Sequence, residues 1–189
     1  MITTHARTRL HELAATATMA AEQCMPDIER AAHLVRETVR RGGTLLFCGN
    51  GGSAADAQHM ATEYVVRYMK NRRALAAIAL TTDTSLLTAV GNDLGFERVF
   101  SRQVEALGKA GDLLVIHSTS GNSPNCVLAA EAARAKGIPV VTFSSRDGGK
   151  LKALSNVSIV VPTDRTDRAQ EIHLCIEHLI CELVEMDIA

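Results

Sequence analysis

Tryptophan is absent from this chain, and aromatic residues of every kind amount to 3%. Single-stranded nucleic acid is held largely by bases stacked on aromatic rings, so that partner is not expected. An excess of one charge is missing too: 20 Lys and Arg stand against 21 Asp and Glu, for a net of -1. No general field draws the chain to nucleic acid or to an anionic membrane. Any anionic ligand must therefore meet a local dipole or charge. No uninterrupted apolar run is long enough to span a bilayer. The opening MITTHARTRLHEL lacks the apolar centre of a signal peptide. No C-x-x-C pair occurs among Cys24, Cys48, Cys126, Cys175 and Cys181. An odd, scattered set in mostly apolar surroundings reads as reduced thiols, not as a disulfide framework or a cysteine zinc site. These absences predict a cytoplasmic protein with no nucleic-acid or membrane partner.

What is present describes one domain. The chain has 189 residues, 47% hydrophobic and 22% charged, enough to bury a core. Two Ala-, Leu-, Glu- and Arg-rich segments, about Thr8–Met25 and Asp27–Arg41, predict helices separated at Pro26 and ended by Gly42-Gly43. Short apolar runs then alternate with helical patterns. Strands are expected at Thr44–Cys48, Leu75–Leu80, Asp112–His117, Pro139–Phe143 and Val157–Val161. Helices are expected at Ser53–Tyr68, near Thr84–Val90, up to Lys136, and over Thr166–Met186. That alternation predicts a three-layer α/β/α sandwich around a five-stranded parallel sheet, flavodoxin- or Rossmann-like. Residues 1–42 form a helical pair outside the alternating core of 43–189, with alanine-rich faces suited to packing on another subunit.

Ligands in such sheets collect at the carboxyl ends of the strands. Two strand-to-helix turns stand out. Ser118-Thr119-Ser120-Gly121-Asn122-Ser123 carries four hydroxyls in six residues. Hydroxyls and backbone amides at a helix N-terminus suit a phosphate, and Gly121 permits close backbone approach. A helix cap needs only one such residue, so the surplus favours a phosphate grip. The turn Gly49-Asn50-Gly51-Gly52-Ser53-Ala54 reads loosely as the dinucleotide fingerprint. Its acidic partner is misplaced, because Asp83 lies well past the expected spacing of roughly 20 residues. A tight turn presenting Asn50, Ser53 and backbone amides to a small polar substrate fits better.

His59 and Glu63, spaced i, i+4, share one helical face. Imidazole nitrogen and carboxylate oxygen on one face suit zinc. On the last helix Gln170 and His178 are eight residues apart, about 80° around the axis. Periodicity alone does not choose between His173 and His178 as the partner of Gln170.

The combination of Gly49-Asn50-Gly51-Gly52-Ser53, Gly91-Asn92-Asp93 and the Ser118–Ser123 run resembles the sugar isomerase (SIS) domain. With Phe100-Ser101-Arg102-Gln103, Gly111-Asp112 and Gln170-Glu171, nearly the whole chain is similar to the phosphoheptose isomerase family. The resemblance implies one Zn2+ per subunit held by His59, Glu63, Gln170 and His178, and it selects His178 over His173. It implies substrate contacts at Asn50, Gly51, Gly52, Ser53, Glu63, Arg67, Asn92, Asp93, Ser118, Thr119, Ser120, Ser123, Asp167 and Gln170. The implied reaction is ketose–aldose isomerisation of sedoheptulose 7-phosphate to D-glycero-D-manno-heptose 7-phosphate. That step opens ADP- or GDP-heptose synthesis for lipopolysaccharide or capsule. Glu63 is the implied base and His178 its acid partner, with the metal steadying the enediol. The implied assembly is a homotetramer with sites at subunit borders. His117 and Thr62 depart from the family pattern, which carries an apolar or aromatic residue at the first and Ala or Gly at the second. The competing reading is a non-catalytic SIS protein that binds DnaA or senses a sugar phosphate. The full set His59, Glu63, Gln170 and His178 argues against it.

Overall fold

Each central strand is a short run of apolar residues buried on both faces, which is what a sheet covered by helices on both sides requires. The computed structural model describes residues 2–188. In chain order it contains α1 (Ile2–Gln23), α2 (Met25–Arg40), β1 (Leu45–Gly49), α3 (Gly52–Val65), β2 (Ala77–Ala79) and α4 (Thr84–Asp93). A 3-10 turn (Phe96–Arg98), α5 (Ser101–Leu107), β3 (Leu113–His117), α6 (Pro124–Ala135), β4 (Val140–Ser145), α7 (Gly149–Leu154), β5 (Val157–Val161) and α8 (Thr166–Ile188) follow. All strand pairs are parallel, in the order β2-β1-β3-β4-β5. This is the flavodoxin-like order, and its switch point lies between β1 and β3.

Strand alternation divides the core in two. Leu45, Phe47, Leu113, Val115 and Phe143 face one side, against Ile28, Val35, Met60, Tyr64, Ile172, Ile176 and Ile180. Leu46, Cys48, Leu114, Ile116 and Val140 face the other, against Val104, Cys126, Ala130 and Leu151. The layers are thus α2, α3 and α8 on one face and α5, α6 and α7 on the other. Because α3 leaves β1 toward the first face and α6 leaves β3 toward the second, their turns part and open a crevice at the carboxyl ends of these two central strands.

The N-terminal pair divides in its role. The sequence places both helices outside the core, yet α2 buries Ile28, Ala31, Val35 and Val39 within it. Only α1 stays peripheral, burying Thr16 and Ala20 and leaving Leu10 and Met19 exposed. The break falls at Cys24, and Pro26 sits in the first turn of α2, where a missing N–H costs no helical bond. Two short helices, α5 and α7, were not expected. At seven and six residues they are too brief to show helical periodicity in the sequence.

Candidate active site

The two turns at the switch point are tied to each other by an amide pair. Asn50 Nδ2 donates to Asn125 Oδ1 at 2.9 Å, and Asn125 Nδ2 donates back to Asn50 Oδ1 at 2.8 Å. Asn50 thus spends both ends of its amide on α6. Asn125 is a residue that sequence reasoning missed, since nothing local distinguishes it from an ordinary first-turn asparagine.

The hydroxyl run folds as a loop over the N-terminus of α6. Ser123 occupies the cap position but makes no side-chain capping bond. It accepts instead from Ser118 Oγ at 3.2 Å. The hydroxyls are therefore not consumed in ending the helix, as a simple cap would have them. Ser118 is buried, while Thr119, Ser120 and Ser123 are partly open. Asn122 braces the loop internally, donating to the Ser120 carbonyl at 2.9 Å and accepting from Lys150 N at 3.1 Å. Ser145 Oγ donates to the Thr119 carbonyl at 2.8 Å. The loop rests on the turn that begins α7, with Gly121 at φ +64°.

A second cluster forms where α3 lies beside α8. His59 Nε2 and His178 Nε2 are 2.8 Å apart, and Glu63 Oε1 is 3.4 Å from His59 Nε2. One donor atom from each of the three lies within 4.8 Å of the others. Burial, then the neighbouring His59, hold His178 below the usual imidazole range, with Glu63 opposing. Its neutral form, the one that ligates a metal, is favoured. The Tyr68 ring stacks on His178 at 5.2 Å and 14°. Glu185 holds the segment carrying Tyr68, accepting from the Tyr68, Met69 and Lys70 amides and from Arg72 Nε at 2.8–2.9 Å. Arg72 in turn donates to the Glu63 and Tyr64 carbonyls, closing the end of α3. Tyr68, Arg72 and Glu185 gave no sequence signal, because their partners lie on another helix.

Two imidazoles and a carboxylate, converging and partly exposed, form a donor set that fits a divalent cation such as zinc and leaves room for a further ligand. Gln170 stands eight residues before His178, about 12 Å along α8. Its amide lies against Gly52 at the start of α3: a Cβ there would come within 2.7 Å of Gln170 Nε2. Gly52→Ala is expected to fold normally, because the flexible Gln170 side chain can swing away. The displaced amide should lower kcat/KM by about tenfold or more, roughly the worth of one misplaced polar contact. Melting and steady-state kinetics together check this.

The remaining predicted residues stand apart from these contacts. Asn92 and Asp93, exposed at the end of α4, bond to each other at 2.7 Å. Arg67 is exposed beyond α3 and has no hydrogen bond or ion pair among the described residues. Asp167 is engaged by Arg165, whose hydrogen bond holds the carboxyl down to about 2. Gly51 (φ +57°) shapes the glycine turn, and Ser53 is buried beneath it.

Tertiary packing also separates the two histidines that periodicity left open. His173 is fully buried on the sheet-facing stripe and bonds the Ser144 carbonyl at 2.9 Å through Nε2. Burial pulls it down to about 4. A histidine that stays neutral when folded but titrates near 6.5 when unfolded adds stability above pH 6.5 and loses it as the pH falls toward 4. The expected loss is at most about 3 kcal/mol over that window. His173→Gln keeps a donor for Ser144 and should remove this part of the slope; denaturant unfolding at pH 7 and pH 4.5 tests it.

Beneath the cluster lies a further polar pair. His117 Nε2 is 2.6 Å from Glu177 Oε1, with both side chains buried. Burial lowers His117, but the adjacent Glu177 outweighs it and holds the imidazole raised; Glu177 is itself raised, by burial first.

No helix among the described residues is long and apolar enough to cross a membrane. A sequence model of the SIS domain matches residues 10–145. The phosphoheptose isomerase of Akkermansia muciniphila is 55% identical over 162 residues, 86% of either chain. The structure of a phosphoheptose isomerase from Neisseria gonorrhoeae superposes with a TM-score of 0.93 at 43% identity, covering 98% of this chain and all of that one. One from Francisella tularensis gives 0.95 at 32% identity, over 99% and 100% of the two chains. The fold, the glycine turn, the hydroxyl loop and these likenesses place the chain in the SIS-domain family, among the phosphoheptose isomerases.

Proposed function

We propose that the chain isomerises sedoheptulose 7-phosphate to D-glycero-D-manno-heptose 7-phosphate, and that this is the first step toward an activated heptose. The observation that carries this reading is the meeting of His59, Glu63 and His178 from α3 and α8, where α3 leaves the switch point whose other turn is an uncapped, hydroxyl-rich helix N-terminus. The phosphate end of an open-chain sugar binds at Ser118, Thr119, Ser120 and Ser123. Backbone amides and the α6 dipole supply the positive potential that a net charge of -1 does not. Gly51, Gly52, Ser53 and Gln170 line the middle of the chain, with Asn50 holding the turn through Asn125.

Glu63 takes the proton from carbon 1, and His178 returns a proton at carbon 2, while the hydroxyl hydrogen passes from oxygen 1 to oxygen 2. His59, Glu63 and His178 would hold a zinc ion, while Gln170, whose amide lies at Gly52 about 12 Å along α8 from His178, would meet the substrate instead. Zinc bound there supplies a Lewis acid for the charge that develops on the two sugar oxygens.

The exposed positions of Arg67, Asn92 and Asp93 support a tetramer in which neighbouring subunits complete each site, with α1 offering the free surface. Light scattering on the purified chain tests this, and an active monomer would rule it out. The reaction itself is tested by incubating the zinc-loaded protein with a panel of ketose and aldose phosphates of five to seven carbons. Turnover of the seven-carbon ketose alone is expected, lost on chelation and regained with zinc. A chain inert toward the whole panel with zinc added would favour the regulatory, partner-binding reading instead.

A further inference from the structure

We infer that His117 and Glu177 are a positioning pair: their buried bond sets the roll of α8 and so aims His178 at His59 and Glu63. The inference rests on reading that cluster as a metal centre.

Neighbouring residues on a helix point about 100° apart. Glu177 and His178 accordingly serve different neighbours, Glu177 the sheet and His178 helix α3. Whatever orients the first orients the second. His117, at the C-terminal end of β3, is a rigid mooring. Its ring lies nearly parallel to Phe143 (5.3 Å, 19°) and to Phe47 (6.3 Å, 15°), on the strands to either side. Its Nδ1 is 3.3 Å from the Cys48 carbonyl, which can only accept, so Nδ1 carries hydrogen and Nε2 is left for Glu177. One turn earlier on the same stripe, His173 bonds the Ser144 carbonyl, a second polar tie between α8 and the strand ends.

Around the pair that face is otherwise apolar, with Ile172, Ile176, Ile180, Cys181 and Val184, and the next polar tie, Glu185, lies about two turns further on. Aliphatic contacts tolerate sliding and rolling, whereas a 2.6 Å bond is made at one roll angle only. A buried polar pair is a weak source of stability compared with an apolar pair of similar volume. Its distinctive contribution is direction, and direction matters here. A roll of about 20° carries a group roughly 6 Å from the helix axis through about 2 Å. Metal–ligand distances tolerate about 0.2 Å. The Glu177 Oε2 oxygen has no partner among the described residues, so the carboxylate is held by this one bond.

Zinc affinity measured by competition with a chromogenic chelator tests the pair. Glu177→Leu should weaken zinc binding by about 10–100-fold, the usual scale for outer partners of metal ligands. Its kcat, measured at limiting zinc, should fall while KM for the sugar phosphate stays within about twofold, because the hydroxyl loop is untouched. Glu177→Gln, whose amide can donate to His117 Nε2, should restore affinity to within about threefold of the unsubstituted chain. A folded Glu177→Leu that holds zinc as tightly as the unsubstituted chain overturns the inference and leaves the metal reading intact. Should the single variant fail to fold, the double variant His117→Leu, Glu177→Leu removes both buried polar groups. Undiminished zinc affinity in it would equally overturn the pair. An unsubstituted chain that binds no zinc defeats the metal reading, and this inference with it.

Discussion

Replacing Glu63 by Gln should lower kcat by about 10³-fold, within the usual range for loss of a general base. Substrate affinity, measured by calorimetry at saturating zinc, should stay within a few-fold. The reasoning is local. Gln keeps the shape and one oxygen but cannot take a proton from carbon. Glu63 sits one turn beyond His59 on α3, and Arg72 holds its carbonyl at 2.7 Å. The helix should therefore survive the change, and the defect should be chemical. Circular dichroism and melting temperature would match the unsubstituted protein. A variant that turned over near the original rate would remove Glu63 from the role of base. One that lost substrate binding in proportion would make it a binding residue only.

The second large effect is expected at Gly121. A Cβ there would lie 2.0 Å from the Gly148 carbonyl oxygen and 2.5 Å from its carbon, both rigid backbone atoms. The residue also has φ +64°, a conformation costing about 1–2 kcal/mol for a residue with a side chain. Gly121→Ala must push the hydroxyl loop off the turn that begins α7. That breaks the Leu151 N to Gly121 O bond at 3.0 Å. We expect destabilisation of about 2–4 kcal/mol in denaturant unfolding, the range of severe packing errors. KM for the sugar phosphate should rise at least tenfold, because the loop proposed to receive the phosphate is the part displaced. Kinetics showing an unchanged KM would separate the loop from phosphate binding. The contrast with Gly52 is informative: there the obstructing atoms are the end of a flexible side chain, so stability should hold while activity falls.

Much of the architecture was legible because it depends on local pattern. Buried parallel strands are continuous apolar runs, and Val157–Val161 agrees residue for residue with β5. Helix α8 begins at Thr166 as expected. The misplacement of α2 has a plain cause. Its apolar face, Ile28, Ala31, Val35 and Val39, would suit a subunit contact as well as a core, and composition does not say which surface covers it. The missed helices α5 and α7 lack the length over which a 3.6-residue period shows. Even so, α7 bears on the proposed phosphate site, since the hydroxyl loop rests on its first turn.

At the hydroxyl run, the sequence by itself determined a loop rich in donors at a helix start, since residue type and spacing need no distant partner. It also determined that His59 and Glu63 share a face, because helical geometry is local. Tertiary structure alone decided which last-helix histidine meets them. His173 and His178 are five residues apart, about 140° around α8. One therefore enters the core toward Ser144 and the other turns outward to α3. Tertiary structure alone likewise brought together Asn50 with Asn125, Gly52 with Gln170, and His117 with Glu177. Such pairings span 60 residues or more. Their distances are set by how helices pack on the sheet, and no local periodicity records that.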